Sequence, residues 1–325
     1  MRYRVAQLSS AGARPGNEDR AGIVERPHAV LLAVADGLGG HSGGALAAQT
    51  AIETVARAFE RVRTGRLSDP FAFLALTLLK AHRAVARRAR AHVPPLEART
   101  TCVLCLVQEG YAYWAHVGDS RLYHFRGERL LARTEDHSAI EELRRDGVIS
   151  EEEMASHPRK SYLLRSLGGP SEPRIALSEE VALRQGDTLL LCSDGLWEAL
   201  DPKDMRRFTA RADLEEGVEE MVYEAEKRRG DACDNVTVAC LRWEEPTPPL
   251  PRLRAPIAPT VDADTLWRAA AGRLAARRAA TPAPAPAPAP GANPAPTTRD
   301  IARRIRELED YLDALEGGDK ERGPR

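Results

Sequence analysis

Ala29-Val30-Leu31-Leu32-Ala33-Val34-Ala35 is an uninterrupted apolar run that stops at Asp36-Gly37. Side chains alternate between the two faces of a strand, so a run with no polar alternation predicts a strand buried on both faces. A chain holding such a strand must cover it with a layer on each side. Residues 101–107, 111–117, 121–125, 188–192 and 236–242 also read as strands, and helical patterns cover 44–63, 70–91 and 214–229. Two helices follow one another early, and several strands joined by short turns come after. That order is not the strand–helix alternation of a doubly wound parallel sheet. The expectation is an α+β fold: a four-layer α-β-β-α sandwich of two antiparallel sheets packed face to face, with helices outside.

Proline sets the boundary of this domain. Residues 1–245 hold 9 of the 23 prolines and residues 246–325 hold the other 14. The Ala-Pro repeat at 281–290 predicts an extended spacer, because proline fixes φ and removes the backbone donor. We therefore read a domain over 1–245, a Pro/Ala-rich linker over 246–298 with a helix at 264–280, and a short amphipathic helix over 299–316. In that last segment Ile301, Ile305, Leu308, Leu312 and Leu315 fall on one stripe. So short a helix is marginal alone, so it either docks weakly or serves a tail-mediated partner or dimer.

Charge and cysteine usage narrow the function. Lys+Arg 47 against Asp+Glu 48 gives a net charge of −1, which disfavours a generally basic nucleic-acid binder. Five irregularly spaced cysteines argue against a disulfide framework and for a reducing compartment. No run approaches the roughly 18 apolar residues of a membrane span, and Met1 to Leu8 lacks the apolar stretch of a signal peptide. A cytoplasmic protein is expected. Cys102 and Cys105 lie three apart on one strand, hence on opposite faces, and cannot share a metal.

The chemistry is concentrated where strands end. Asp36 follows one apolar strand, Asp119 another and Asp194 a third, while Asp234-Asn235 opens the last strand and Asn17-Glu18-Asp19 an early one. A single such aspartate is ordinarily a turn residue. Several gathered at one end of a sandwich repel one another, and a set of hard oxygen donors suits Mg²⁺ or Mn²⁺. Glycine after the aspartate lets a backbone carbonyl approach an ion, since no Cβ intervenes. Two hard cations bridged by one carboxylate generate a hydroxide nucleophile and clamp a phosphoryl group for in-line displacement. Arg14, four residues before Glu18, is a natural phosphate holder. The pattern points to metal-assisted phosphoester hydrolysis.

In order along the chain stand Arg14-Pro15-Gly16-Asn17-Glu18-Asp19, Ala35-Asp36-Gly37-Leu38-Gly39-Gly40-His41, Thr100-Thr101, Gly118-Asp119-Ser120-Arg121, Asp136-His137-Ser138, Ser193-Asp194-Gly195-Leu196-Trp197 and Asp234-Asn235-Val236-Thr237-Val238. This series resembles the metal-dependent Ser/Thr protein phosphatases of type 2C, the PPM family, in their compact bacterial form. The resemblance spans about residues 3–243 and includes a flap-like segment with His157-Pro158 and Leu164-Arg165-Ser166-Leu167-Gly168. It implies a β-sandwich flanked by helices and Mn²⁺ or Mg²⁺ as cofactor, two ions with a third, weaker one. It implies that Asp36 bridges both metals and Gly37 offers its carbonyl. Asp194 and Asp234 complete one shell, and Glu18 and Asp19 bind metal-held water or support the site together with Asn235. Arg14 grips the phosphate. Asp119, with Asp194 and a lesser contribution from Ser161, holds the third ion.

Two departures bear on mechanism. Many eukaryotic members have His after Asp-Gly as a proposed general acid, whereas this chain has Leu38; a metal-bound water is the first choice of proton donor and His41 the second. Arg99 replaces a frequent Gly before the paired Thr. Trp197 reads as core rather than as a substrate platform. The implied activity is hydrolysis of phosphoserine and phosphothreonine in proteins by a metal-bridging hydroxide, reversing a bacterial-type Ser/Thr kinase and acting on its targets. The alternative is a catalytically idle phosphoprotein-binding or scaffold member.

Overall fold

The computed structural model describes residues 1–38, 42–62, 66–138, 141, 165–246 and 260–261. His41, His157, Ser161, the linker prolines and the segments 264–280 and 299–316 lie outside the described residues. In chain order the strands are β1 (Tyr3–Ser10), β2 (Arg20–Arg26), β3 (Ala29–Ala35), β4 (Gly37–Leu38), β5 (Arg99–Thr100), β6 (Cys102–Gln108), β7 (Tyr111–Val117), β8 (Arg121–Arg126), β9 (Arg129–Arg133), β10 (Ile175–Leu177), β11 (Val181–Ala182), β12 (Thr188–Cys192), β13 (Val236–Trp243) and β14 (Thr260–Val261). The helices are α1 (Ser42–Glu60), α2 (Pro70–Ala91), α3 (Asp194–Trp197), α4 (Pro202–Thr209) and α5 (Leu214–Arg229).

Two antiparallel sheets stack face to face. One runs β1-β13-β12-β8-β9, the other β14-β10-β7-β6-β3-β2 with β11 beside β7. The alternation of each strand sorts its side chains between layers. Val30, Leu32 and Val34 of β3 and Val103 and Cys105 of β6 meet Leu189 and Leu191 of β12 and Ala239 and Leu241 of β13 between the sheets. Leu31 and Ala33 of β3, with Cys102 and Leu104 of β6, face Ala47, Ala51 and Val55 of α1 and Leu74 and Leu78 of α2. On the far side, Leu190, Val238 and Cys240 pack under Met205 and Phe208 of α4 and Val218, Met221 and Val222 of α5. The expected four layers are present. Every residue of β3, β6 and β7 is buried, which explains the unbroken apolar run of β3 and the nearly apolar sequences of the other two. Full burial of each Leu or Val contributes roughly 1.5–3 kcal/mol. Cys102 and Cys105 fall in different layers, as their spacing requires.

Other aspartates act as helix caps. Asp69 and Asp201 each precede a proline at the first helical turn and accept a backbone N–H, from Ala72 at 3.1 Å and from Asp204 at 2.8 Å. Asp213 caps α5 in the same way. These three satisfy donors that a helix start leaves open. The strand-end aspartates have no such employment.

Candidate active site

Register brings the strand-end aspartates to one end of the sandwich. Cys192, two residues before Asp194, pairs with Val238 and with Arg121, so Asp194 lies beside the start of β13 and the start of β8. Arg20 pairs with Ala35, and Cys102 pairs with Val117. Glu18, Asp19, Asp36, Asp119, Asp194 and Asp234 therefore all sit at the same edge of the two sheets.

Electrostatics records their proximity. Desolvation raises the Asp36 carboxyl well above the usual carboxylate range, and the charges of Asp194, Asp19, Asp119 and Asp234 push it further. Desolvation, then Asp194 and Asp136, raise Asp119 well above its ordinary value. Asp194 is raised to about 6 by desolvation and by Asp234 and Glu198. Asp19 is raised to about 7 by desolvation, with its hydrogen bond to Ser193 acting in the opposite direction. Asp36 lies beside Asp194, and its hydrogen-bonding contribution lowers the Asp194 value against the larger effects that raise it. Like charges this close cannot all ionise without a cation to offset them.

Backbone and hydroxyl contacts fix the cluster. The Asp36 carbonyl accepts from Thr101 N at 2.9 Å and from Thr100 Oγ1 at 2.7 Å, and Asp36 N donates to Thr101 Oγ1 at 3.0 Å. Thr101 Oγ1 also pairs with Ser120 Oγ at 2.7 Å, joining the Asp36 turn to the Asp119 turn. Gly118 stands at φ +104° in that second turn, where a Cβ would sit 2.7 Å from Thr101. Ser193 Oγ donates to Asp19 Oδ2 at 2.6 Å. Asn235 ties down the segment bearing Arg14 and Glu18: its Nδ2 donates to Ala11 O and Gly16 O, both at 2.9 Å, and its Oδ1 accepts from Glu18 N at 2.8 Å. Sequence reasoning listed Thr100, Thr101 and Ser193 only as parts of motifs. Their hydroxyls join segments up to 174 residues apart, a distance no local pattern reveals.

Among the described residues no three His, Cys, Asp or Glu side chains close into a coordination shell. The reason is visible in the pairings. Arg14 Nη2 lies 2.7 Å from Asp234 Oδ2, with both side chains well exposed at 59% and 43%. The guanidinium thus holds the carboxylate that the resemblance assigns to a metal. The donors nonetheless suit a hard divalent ion. All are oxygens. Glu18 Oε2 is buried with no hydrogen-bond partner, and such an orphaned carboxylate oxygen calls for a cation or water. Gly37 and Gly44 are the small residues that admit this packing: a Cβ on Gly44 would stand 1.9 Å from Glu18 Oε2, and one on Gly37 2.7 Å from the Glu18 carbonyl.

Trp197 departs from the expectation of a plain core residue. It is only partly buried, its Nε1 donates to the Asp119 carbonyl at 3.1 Å, and the Arg121 guanidinium lies 3.6 Å from its ring centre.

Comparisons with known proteins agree with this geometry. Residues 11–228 match the family described as Protein phosphatase 2C. The serine/threonine phosphatase stp of Listeria monocytogenes is 32% identical over 228 residues, covering 69% of this chain and 89% of that protein. The crystal structure of the Mycobacterium tuberculosis serine/threonine phosphatase PstP/Ppp superposes with a TM-score of 0.65 at 32% identity, covering 75% of this chain and 99% of that one. The catalytic domain of PstP in complex with two manganese ions gives a TM-score of 0.63 at 29% identity, with 75% of this chain and 99% of that one covered. This chain belongs to the protein phosphatase 2C family.

Proposed function

We propose that this protein phosphatase removes phosphate from phosphoserine and phosphothreonine in proteins, using two divalent ions, Mn²⁺ or Mg²⁺. The observation that carries the reading is the gathering of Asp36, Asp119 and Asp194, with Asp19 and Asp234, at one end of the sandwich, their carboxyls raised by desolvation and mutual repulsion. Relatives named as serine/threonine phosphatases and the manganese complex of PstP support the substrate class and the metal.

The ions would be held by the carboxylates of Asp36, Asp194 and Asp234 and by the Gly37 carbonyl. Glu18 and Asp19 orient water, Asn235 holds their segment, and Asp119 serves a third, weaker ion. Bound there, the ions supply Lewis acidity and an activated water at neutral pH. Arg14 leaves Asp234 to grip the phosphate oxygens, its planar fork matching their geometry. Leu38 offers no proton, so the leaving serine or threonine oxygen takes its proton from water. The physiological substrates are proposed to be a Ser/Thr kinase and its targets.

The test is release of phosphate from a small aryl phosphate in the presence of Mn²⁺. Activity is expected with Mn²⁺, absent with EDTA, and lowered at least about 1,000-fold by Asp36→Asn, the scale of losing a metal's contribution to the displacement. No Mn²⁺-dependent rate above background sinks the reading and leaves the idle scaffold. A phosphothreonine peptide hydrolysed no faster than a phosphotyrosine one overturns the substrate class alone.

The tail is proposed to be a linker over 246–298 leading to a partner-binding or dimerising helix over 299–316. The solution mass of the full chain against that of 1–245 decides: equal stoichiometry eliminates dimerisation by the tail. Among the described residues no helix is long and apolar enough to cross a membrane.

A further inference from the structure

Arg121 is a buried cation with an unusual set of neighbours. Its Nε and Nη2 reach both oxygens of Asp136 at 2.8 and 2.6 Å, and its Nη1 donates to Tyr123 OH at 3.2 Å. The two charged side chains are 9% and 6% exposed. A bidentate pair in such surroundings is rigid, and its plane is fixed. Trp197 stacks its ring on that plane, the guanidinium carbon lying 3.6 Å from the ring centre. So held, the indole aims Nε1 at the Asp119 carbonyl, 3.1 Å away. Trp197 is also the last residue of α3, the helix that Asp194 begins.

The Asp119 turn is thereby gripped from two sides. Thr101 and Ser120 hold it toward Asp36, and Trp197 holds it toward Asp194. Nothing in the core requires the second grip. The same ring could fill its space as Phe, and the buried Arg121–Asp136 pair does not demand an aromatic lid. A partly exposed indole donating to a turn whose aspartate faces Asp194 is a spacing device.

We propose that Trp197, backed by Arg121 and Asp136, is a positioning residue that sets the distance between the Asp119 and Asp194 carboxylates and so tunes the weaker metal position they share. The proposal rests on the reading of Asp119 as a ligand of that position. It predicts selectivity. Trp197 bonds to the Asp119 turn, and of the two carboxylates it spaces only Asp194 is shared with the tighter pair of ions, so weakening its grip falls mainly on the weak class of binding.

The experiment is calorimetric titration of the full, metal-stripped chain with Mn²⁺, alongside thermal melting in EDTA. Wild type is expected to show tight and weak classes, and Asp119→Asn to lose the weak one. Trp197→Phe keeps an aromatic face over Arg121 and removes the N–H together with the indole's second ring. It is expected to weaken the weak class about fivefold, the size of one net hydrogen bond, with the tight class changed less than about twofold. Arg121→Lys keeps the charge but not the bidentate plane, and is expected to shift the weak class in the same direction; it serves as the second variant if Trp197→Phe melts far below wild type. An unchanged weak class, or equal weakening of both classes, overturns the proposal. If Asp119→Asn itself leaves both classes intact, the assignment of Asp119 fails first and the spacing role falls with it.

Discussion

Strand β12 has an aspartate beyond each end, and the two are held in opposite ways. Asp187 precedes it, fully buried. Arg126 reaches both its oxygens at 2.7 and 2.6 Å, His124 Nε2 lies 3.0 Å from Oδ2, and Arg184 N donates at 2.9 Å. Burial alone raises such a carboxyl, but these partners more than offset it and bring Asp187 down to about 2. Asp194 follows the strand six residues on from Thr188, at the other edge of the sheet. It faces other carboxylates and is raised to about 6. At one end of the sandwich Asp187 has been given cations and donors by the chain itself. At the other end, although Arg14 meets Asp234 and Ser193 meets Asp19, Asp36, Asp119 and Asp194 are left raised by one another's charge, and that end is the one assigned to the chemistry.

The largest effect that tests this contrast is at the satisfied end. Asp187→Asn leaves Arg126 with no anion and a buried network half filled. Removing one partner of a buried pair costs roughly 3–5 kcal/mol, reduced because Arg126 is partly exposed, so about 2–4 kcal/mol is expected in urea unfolding. Mn²⁺ affinity should stay as in wild type. A loss below about 1 kcal/mol removes the distinction between the two ends, since the pairing would then contribute no more than a surface contact.

The opposite sign is expected for Asp194→Asn. A carboxyl whose folded pKa lies above its unfolded value opposes folding once it is ionised. With Asp194 raised from 3.8 to about 6, its neutral replacement should stabilise the metal-free protein at pH 7 by about 1–3 kcal/mol. The same variant should lose the stabilisation that Mn²⁺ gives wild type. A destabilised Asp194→Asn in EDTA would mean that this carboxylate is paired after all.

Much of this frame was readable before folding was considered. The runs 29–35, 111–117 and 188–192 coincide with β3, β7 and β12, because short apolar runs bounded by turn residues suit strands buried on both faces. The helix read at 44–63 occupies Ser42–Glu60 instead. β2, Arg-Ala-Gly-Ile-Val-Glu-Arg, is expected only as an early strand opened by Asn17-Glu18-Asp19 and without bounds: it is half-buried along most of its length and carries no clean alternation. α4 was missed because its buried side chains amount to Met205, Phe208 and Thr209, although Asp201-Pro202 is a cap signal. The strand-end aspartates were legible as a set because each follows or precedes an apolar run. The pairing of Arg14 with Asp234 across 220 residues, the ties made by Asn235 and the stack of Arg121 on Trp197 were not, since they depend on which loops the two sheets bring together.

pH separates the two ends in one protein. For Asp187, whose folded pKa is depressed, the stabilisation is fully present above about 3.9 and is lost as pH falls through about 2. For Asp194 and Asp19, raised to about 6 and about 7, the folded state binds protons the unfolded chain has released. Their unfavourable contribution therefore begins near pH 4 and grows until pH passes about 7. Thermal melts in EDTA should show falling stability from pH 4 to 7, with a separate fall below pH 4. Mn²⁺ should remove most of the first decline and none of the second. A flat profile between pH 4 and 7 in EDTA would show the site carboxylates to be already satisfied.

The smallest effect is also the most specific. Site carboxyls raised to about 6 and about 7 hold protons near neutral pH in the metal-free protein, and a divalent ion must displace them, because a coordinating carboxylate is deprotonated. Calorimetric titrations with Mn²⁺ in buffers of different ionisation enthalpy count the protons released. Release is expected at pH 6, where Asp19 and Asp194 are partly protonated, and should diminish toward pH 8 as those two ionise. Asp187→Asn should leave that count unchanged, since its carboxylate titrates far below this range and at the opposite edge of the sheet. Asp36→Asn should lower it. Equal release at both pH values would mean that the titration of Asp19 and Asp194 is not coupled to metal entry, and that the contrast between the two ends of β12 is one of stability alone.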